Sequence, residues 1–344
     1  MSCKNPLISI IITNYNGGNL LLKCLESIYN SKYQNFEVIL VDNASNDDSD
    51  LVAKKRFPNI KLISNKQNLG SVGRNSGIKI AKGEFVVLLD NDTKVDPIWL
   101  DEFLKYYEIH GYGMYQGKLL LMDEPEKLNS AGCMINIFGF SFARGTGEID
   151  KGQFDDKIEI NFPATACAFI PKKIFGQIGY FDEEFFAYLD DTDFGWRAMK
   201  QGIKSFFVPT AIVYHKWSNT TKWSPLKYYL LEKNRQICIN TLFSNQTYSR
   251  LHLFFSFINI GIIRLYKKNG MLKEKKRADK FIAENKEYLK KKYNEIQKNT
   301  TSRDYDVIKQ FSDCVPAPKE SFRTSWILNS FLCVCSKMAK FLIK

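Results

Sequence analysis

The sequence lacks a C-x-x-C pair, a long apolar run and a basic leader. Its eight cysteines are scattered, and only Cys333 and Cys335 lie close together. That spacing offers no zinc site and no disulfide framework, so a reducing, cytosolic setting is expected. The apolar run Leu7 to Ile12 is short, has no basic leader and runs straight into Thr13-Asn14-Tyr15-Asn16. A secretory signal is excluded on that reading. No stretch reaches the ~18 apolar residues of a clear membrane span, so the main domain is expected to be soluble. Histidine is scarce, at three residues, and no internal repeat is seen.

What is present points to a folded enzyme-sized chain. At 344 residues it exceeds one domain of ~100–200 residues, which predicts one large α/β domain with an appendage. Hydrophobic residues make up 44% and aromatics 14%, enough core to exclude extensive disorder. The net charge of +12 is local: residues 264–298 hold 13 Lys and Arg against 5 Asp and Glu. Such a block suits an anionic surface, or else a solvated helix face. Nucleic acid lacks support, because Tyr288 and Tyr293 are the few aromatics interleaved with it.

The first hundred residues alternate strand and helix. Ile8–Thr13 is β-branched, and Leu21, Cys24, Leu25 and Ile28 then fall at helical spacing. Val38–Val41 is a fully apolar strand ending in Asp42, with a short helix following to Phe57. Ile60–Ser64 reads as a strand, Val72–Ala81 as a helix, and Phe85–Leu89 as a strand ending in Asp90. Continuous apolar strands are those buried on both faces, which predicts a Rossmann-like, mostly parallel sheet with helices on both sides. Residues 111–165 read as strands and loops of unassigned order. Ala166–Ile170 is a strand, with Pro171 starting a helix. Phe206–Val208 and Ala211–Tyr214 read as two strands, the second leading into His215, and the chain turns helical beyond Ser224. The expected division is residues 1–245 as the catalytic domain and residues 246–344 as a helical, basic region.

Ligands in open parallel sheets bind beyond the carboxyl ends of the strands. Asp42 and Asp90 stand there, and Asp90-Asn91-Asp92 presents two carboxylates with one residue between. Two hard oxygen ligands so placed suit Mg2+ or Mn2+ together with diphosphate oxygens. Asn68-Leu69-Gly70 and Arg74-Asn75-Ser76-Gly77 open the preceding helix, where glycines allow close approach and Arg74 suits a phosphate or carboxylate. A hundred residues on comes Asp190-Asp191-Thr192-Asp193. Three carboxylates in four positions need burial or a cation to hold them together. They serve either as a general base for an acceptor hydroxyl or as a plain acidic helix start. His215 is either a third metal ligand or a polar strand-end residue.

Taken together and in order, T-N-Y-N, V-D-N-A-S, N-L-G-S-V-G-R-N-S-G-I, L-L-D-N-D-T, G-Y-F-D-E-E-F-F-A-Y-L-D-D-T-D-F-G-W-R and V-Y-H closely resemble family 2 glycosyltransferases of the GT-A fold. The branch most similar contains rhamnosyltransferases of cell-surface polysaccharide synthesis, and the resemblance spans about residues 6–235. It implies that Thr13 and Tyr15 lie against a nucleotide base, with Asp42 accepting a hydrogen bond from it. Arg74 would help close the nucleotide site. Asp90 would approach the ribose or the metal, Asp92 would bind the metal, and His215 would contact metal or diphosphate. Asp191 would be the base in an inverting displacement. The family usually has Glu-Asp where this chain has Asp190-Asp191; the base position is retained. The implied donor is a dTDP- or UDP-sugar, with rhamnose favoured by likeness alone. The implied acceptor is a glycan or lipid-linked hydroxyl, and no organic cofactor is required.

The C-terminal region adds a membrane expectation. Leu251–Tyr266 is too short and polar for a span and suits a buried or interfacial helix. In the last twenty residues Ile327, Leu328, Phe331, Val334, Met338, Phe341 and Leu342 share one helical side, opposite Lys337, Lys340 and Lys344. With Trp326 near its start, that helix either lies in a membrane interface or packs on the catalytic domain. The first reading places the protein peripherally on the inner face of the cell membrane. Two rival functions are a nucleotidyltransferase and a non-catalytic basic membrane-binding protein. The former would want a basic, glycine-rich phosphate loop after the first strand, where this chain has Asn14-Tyr15-Asn16-Gly17-Gly18. The latter would leave the strand-end acids idle.

Overall fold

The computed structural model describes residues 5–216, 224–316 and 324–344. By its internal contacts the chain falls into two compact units. One comprises Met1–Cys133, Ala143–Asp191 and Ile203–Ser218; the other comprises Met134–Phe142, Thr192–Gly202 and Asn219–Lys344.

The first unit opens with the expected alternation: β1 (Ile8–Asn14), α1 (Gly18–Tyr29), β2 (Phe36–Asp42), α2 (Ser49–Arg56), β3 (Lys61–Ser64), α3 (Arg74–Ile80) and β4 (Phe85–Asp90). A 3-10 turn at Gly70–Gly73 leads into α3. The chain continues through β5 (Thr93–Val95), α4 (Trp99–His110), β6 (Gly113–Leu121), β7 (Leu128–Ser130), β8 (Cys133–Ile135), β9 (Ser141–Ala143), β10 (Glu159–Ile160) and β11 (Cys167–Pro171). After α5 (Lys173–Ile178) and α6 (Asp190–Lys200) comes the long β12 (Lys204–His215).

The main sheet runs β10-β12-β6-β11-β4-β1-β2-β3, with β5 pairing β12 and β7 pairing β6, while β8 and β9 form a separate pair. β1 to β4 are mutually parallel, as their unbroken Val/Ile/Leu runs require. β11 is antiparallel to both β4 and β6, so the parallel order is interrupted once in mid-sheet. Ile8, Ile10, Ile12, Val38, Leu40, Val87 and Leu89 share one face with Leu21, Cys24, Leu25 and Ile28 of α1. Burying each such aliphatic side chain is worth about 1.5–3 kcal/mol. The opposite face carries α3, whose Gly77 meets Ile11, Ile39 and Val41; a Cβ there would sit 2.7 Å from the Ile11 methyl carbon.

Two local expectations are corrected. Phe206–Val208 and Ala211–Tyr214 belong to one strand, because a register shift between Val208 and Ile212 absorbs the interruption without ending the pairing to β6. Pro171 closes β11, and α5 begins two residues later, so the ring ends the sheet ladder instead of opening a helix.

The second unit is helical: α7 (Pro225–Leu242), α8 (Asn245–Lys268), α9 (Leu272–Glu284), α10 (Lys286–Lys298), α11 (Asp304–Ile308) and α12 (Thr324–Leu342). Ser224 caps α7 by accepting from the Lys227 amide, with Pro225 in the first turn. Its buried Glu232 accepts from Arg235 Nε at 2.9 Å and Arg235 Nη2 at 2.8 Å, with Lys275 Nζ at 3.2 Å. Trp196 packs edge-on against Phe243 and Phe311. Against the expectation of unpaired cysteines, Cys314 and Cys333 are bonded across a separation of 19 residues. Among the described residues, no helix is long and apolar enough to cross a membrane. The side chains of Trp326, Ile327 and Leu328 lie outside the described residues.

Candidate active site

The strand ends bring the first polar residues together. Pairing of β1 with β2 sets Asn14 beside Asp42, and pairing with β4 sets Thr13 beside Asp90. Asn14 is fully buried; its amide nitrogen donates to Asp42 Oδ1 at 2.8 Å, and its carbonyl oxygen accepts from Asn91 Nδ2 at 2.7 Å. Asp42 Oδ1 also accepts from the Ser45 hydroxyl at 2.6 Å, and Oδ2 from the Ser45 amide at 2.9 Å. Asp42 thus braces the loop after β2 and keeps lone-pair capacity on Oδ2 for one further donor. Thr13 is half-buried at the end of β1, and Tyr15 is 50% exposed, its ring open to stacking.

Asp90, Asp92 and His215 meet at the next strand end. β5 pairs antiparallel with the end of β12, setting His215 opposite Thr93, one residue beyond Asp92. The Thr93 hydroxyl donates to the Asp90 carbonyl at 2.8 Å, closing the turn between the two acids. His215 Nε2 lies 3.2 Å from Asp92 Oδ1 and 3.8 Å from Asp90 Oδ2. One donor atom from each residue lies within 4.8 Å of the other two. His215 Nδ1 is 2.9 Å from Asn129 Oδ1. With Nδ1–H donating there, the Nε2 lone pair is aimed at the two carboxylates, which is how metal-binding imidazoles are oriented. Two carboxylate oxygens and one imidazole nitrogen are a donor set that Mn2+ or Mg2+ accepts. The residues present therefore fit a divalent cation.

The electrostatics agree with a cleft. Burial, with Asp92 and Asp190 adding repulsion, pushes the Asp90 carboxyl upward against the opposing pull of His215 and Arg74. Its side chain nevertheless keeps 37% of its surface open, as a group lining a concavity does. Burial favours neutral His215, but the hydrogen bond and charge of Asp92, backed by Asp90, raise its pKa on balance. A proton and a cation compete for the same position.

The second acidic cluster is docked onto the α3 entry. Asn75 donates to the Phe181 carbonyl at 2.7 Å and accepts from the Phe181 amide at 3.1 Å. The Ser71 amide donates to the Phe186 carbonyl at 2.8 Å. Gly70 has φ +65°, and a Cβ there would lie 2.1 Å from the Phe186 oxygen, so only glycine permits this approach. Phe186, Tyr188 and Leu189 have φ of 59°, 65° and 61°, a strained run directly before α6. Three anchors and a strained turn thus aim Asp190 and Asp191.

Cations sort the acids, as like-charge crowding demands. Arg74 is buried, donates from Nε to the Ser71 carbonyl at 2.6 Å, lies over the Phe181 ring and has Nη1 3.8 Å from Asp190 Oδ2. Among the described residues neither Arg74 Nη1 nor Asp190 Oδ2 has a hydrogen-bond partner, although both atoms are buried. Asp193 pairs with Arg197 Nε at 2.8 Å and Lys292 Nζ at 2.9 Å, which makes it a structural anchor of the second unit. Asp191 is half-buried, and its charge helps burial raise the Cys133 thiol pKa. Asp190 bears on Asp90 in the same way. Asn14, Asn75 and Asn129 carry much of this architecture and were not singled out as site residues from the sequence. Asn75 stood within the R-N-S-G segment, whereas no local pattern marks Asn129.

Residues 9–179 match the model of glycosyl transferase family 2. The N-acetylglucosaminyl-diphospho-decaprenol L-rhamnosyltransferase of Mycobacterium tuberculosis is 25% identical over 244 residues, covering 64% of this chain and 79% of its own. The putative glycosyltransferase EpsH of Bacillus subtilis is 34% identical over 106 residues, covering 30% of each chain. This chain thus spans less than a third of EpsH's length. Among solved structures, GalNAc-T7 with UDP, GalNAc and Mn2+ aligns with a TM-score of 0.56 at 16% identity, covering 71% of this chain and 49% of that one. At that identity the likeness is one of fold.

Proposed function

We propose, from the premise that this chain belongs through residues 9–179 to glycosyl transferase family 2, that it moves a sugar from a nucleotide diphosphate carrier to an acceptor hydroxyl with inversion. The observation that carries the reading is the convergence of Asp90, Asp92 and His215, with Asp190 bearing electrostatically on Asp90 and Asp191 next to it in the chain. Asp90, Asp92 and His215 would hold Mg2+ or Mn2+, which supplies positive charge to the leaving diphosphate. Tyr15 and Thr13 bind the base, with Asp42 behind them. Arg74 holds Asp190 in place and adds positive charge near the nucleotide. Asp191 accepts the acceptor's hydroxyl proton as that oxygen bonds to the anomeric carbon. The bond from that carbon to the diphosphate breaks, and the nucleoside diphosphate leaves with the electron pair.

The donor is a dTDP- or UDP-sugar. Rhamnose is supported by the mycobacterial relative, named as an N-acetylglucosaminyl-diphospho-decaprenol L-rhamnosyltransferase, and the UDP carrier by UDP in the GalNAc-T7 structure. That relative's name also supports a lipid-linked glycan acceptor, and the reading places the reaction in cell-surface polysaccharide synthesis. Residues 1–245 serve as the catalytic domain, and the helical remainder holds the enzyme at the inner face of the membrane.

The test is nucleoside diphosphate release from a panel of nucleotide sugars with Mg2+ or Mn2+, before and after EDTA. Chelator-sensitive release with one donor supports the reading. Release unchanged by EDTA removes the metal from it. A panel with neither release nor metal-dependent binding of any nucleoside diphosphate contradicts the transfer itself.

A further inference from the structure

The second unit carries an apolar surface that its own packing leaves uncovered. α12 has two apolar faces. Cys335, Ala339 and Ile343, with Ser336, are buried against the rest of the unit. Phe331, Val334, Met338, Phe341 and Leu342 project on the other side, and Phe341 is 78% exposed. α12 thus packs through one face and leaves another apolar face open.

α8 repeats the arrangement. It buries Leu251, Ile258, Ile262 and Tyr266 and exposes Leu253, Phe257, Ile260 and Ile263, with Leu253 69% exposed. The two open stripes meet where the Phe257 and Phe331 rings stand 5.4 Å apart, on two helices in contact. An exposed patch of this kind marks an interaction site.

Charge identifies the occupant. Neither α8 nor α12 contains an Asp or Glu. Arg264, Lys267 and Lys268 at the end of α8, Lys337 on α12 and Lys344 just beyond its end are all exposed. A second copy docking face to face would bring the same cations again and no carboxylate from either helix to neutralise them. An anionic lipid surface matches both features, taking the apolar side chains among its acyl chains and the cations among its headgroups.

We propose that α8 and α12 together form a two-helix docking face for an anionic lipid bilayer, bound in its plane without crossing it. This deepens the peripheral placement given above, and it is read without turnover, so its failure and that of sugar transfer are separable.

The experiment is flotation of the full chain with phosphatidylcholine vesicles and with vesicles containing about one-third phosphatidylglycerol. The protein is expected to float with the anionic vesicles and at least about tenfold more weakly with the neutral ones, and to be released by high salt. Leu253→Ser/Val334→Ser/Phe341→Ser is expected to lose about tenfold or more of the anionic binding at an unchanged melting temperature. If that variant fails to fold, Lys337→Glu/Lys344→Glu serves instead and should lose binding to the anionic vesicles. No flotation of the wild type with either vesicle overturns the proposal. So does a wild-type dimer by light scattering that the triple variant breaks while neither floats, since the face would then belong to a second copy.

Discussion

Asp191 stands in a row of acids in which Asp190 pairs with Arg74, and Asp193 with Arg197 and Lys292. Asp191→Asn should lower kcat by about 10²–10⁴, the usual worth of a positioned base, with donor KM nearly unchanged; steady-state kinetics on the two forms check it. His215 depends on Asn129 for its orientation. Asn129→Leu should weaken Mn2+ binding about 10–100-fold, as loss of an imidazole's supporting partner does, and calorimetry of the metal alone reads it. The acids were legible in the sequence because each ends an apolar run or stands in a dense cluster. Asn129 and Asn75 were not, because an asparagine that braces another residue from a distant segment leaves no local spacing. Asp193 shows the reverse limit. Composition groups it with Asp191, and its pairing with Arg197 and Lys292 gives it a structural role.

Elements succeed or fail on their contacts with one another. Gly70→Ala would drive a Cβ into the Phe186 carbonyl and force a strained φ. It should displace the turn before α6 and cut activity strongly while the unit still melts cooperatively, seen by comparing turnover with a thermal scan. Within α7, burial opposes the Glu232 charge, but Arg235 and Lys275 win and hold its pKa below the ordinary glutamate value. The sign follows: the contribution is full above the unfolded value of about 4.3 and is lost as pH falls through the lower folded value. Glu232→Gln should therefore destabilise the protein by about 3–5 kcal/mol near neutrality, as breaking a buried ion pair does. The deficit against wild type should shrink as pH falls below about 4.3, measured by urea melts across pH. The β1–β4 order was readable from unbroken apolar strands. The single strand β12 was not, because a register shift between Val208 and Ile212 looks in sequence like two strands with a gap.

At the scale of the whole molecule, the fold was expected from the joint order of motifs, whose likeness covers the segment that the family match also covers. The composition of the two compact units was not readable. Met134–Phe142 and Thr192–Gly202 join the helical unit, and no shift in composition marks either segment. The basic block was visible as charge, but its neighbouring apolar surface became visible only when the buried and open sides of α8 and α12 could be told apart. The measurement that tests the central claim most directly compares Asp92→Asn with Asp191→Asn for both Mn2+-dependent binding of the nucleoside diphosphate and its release from the donor. The account predicts that Asp92→Asn loses binding and release together, whereas Asp191→Asn binds like wild type and releases almost nothing. Full release by either variant, with a donor the wild type uses, would contradict it.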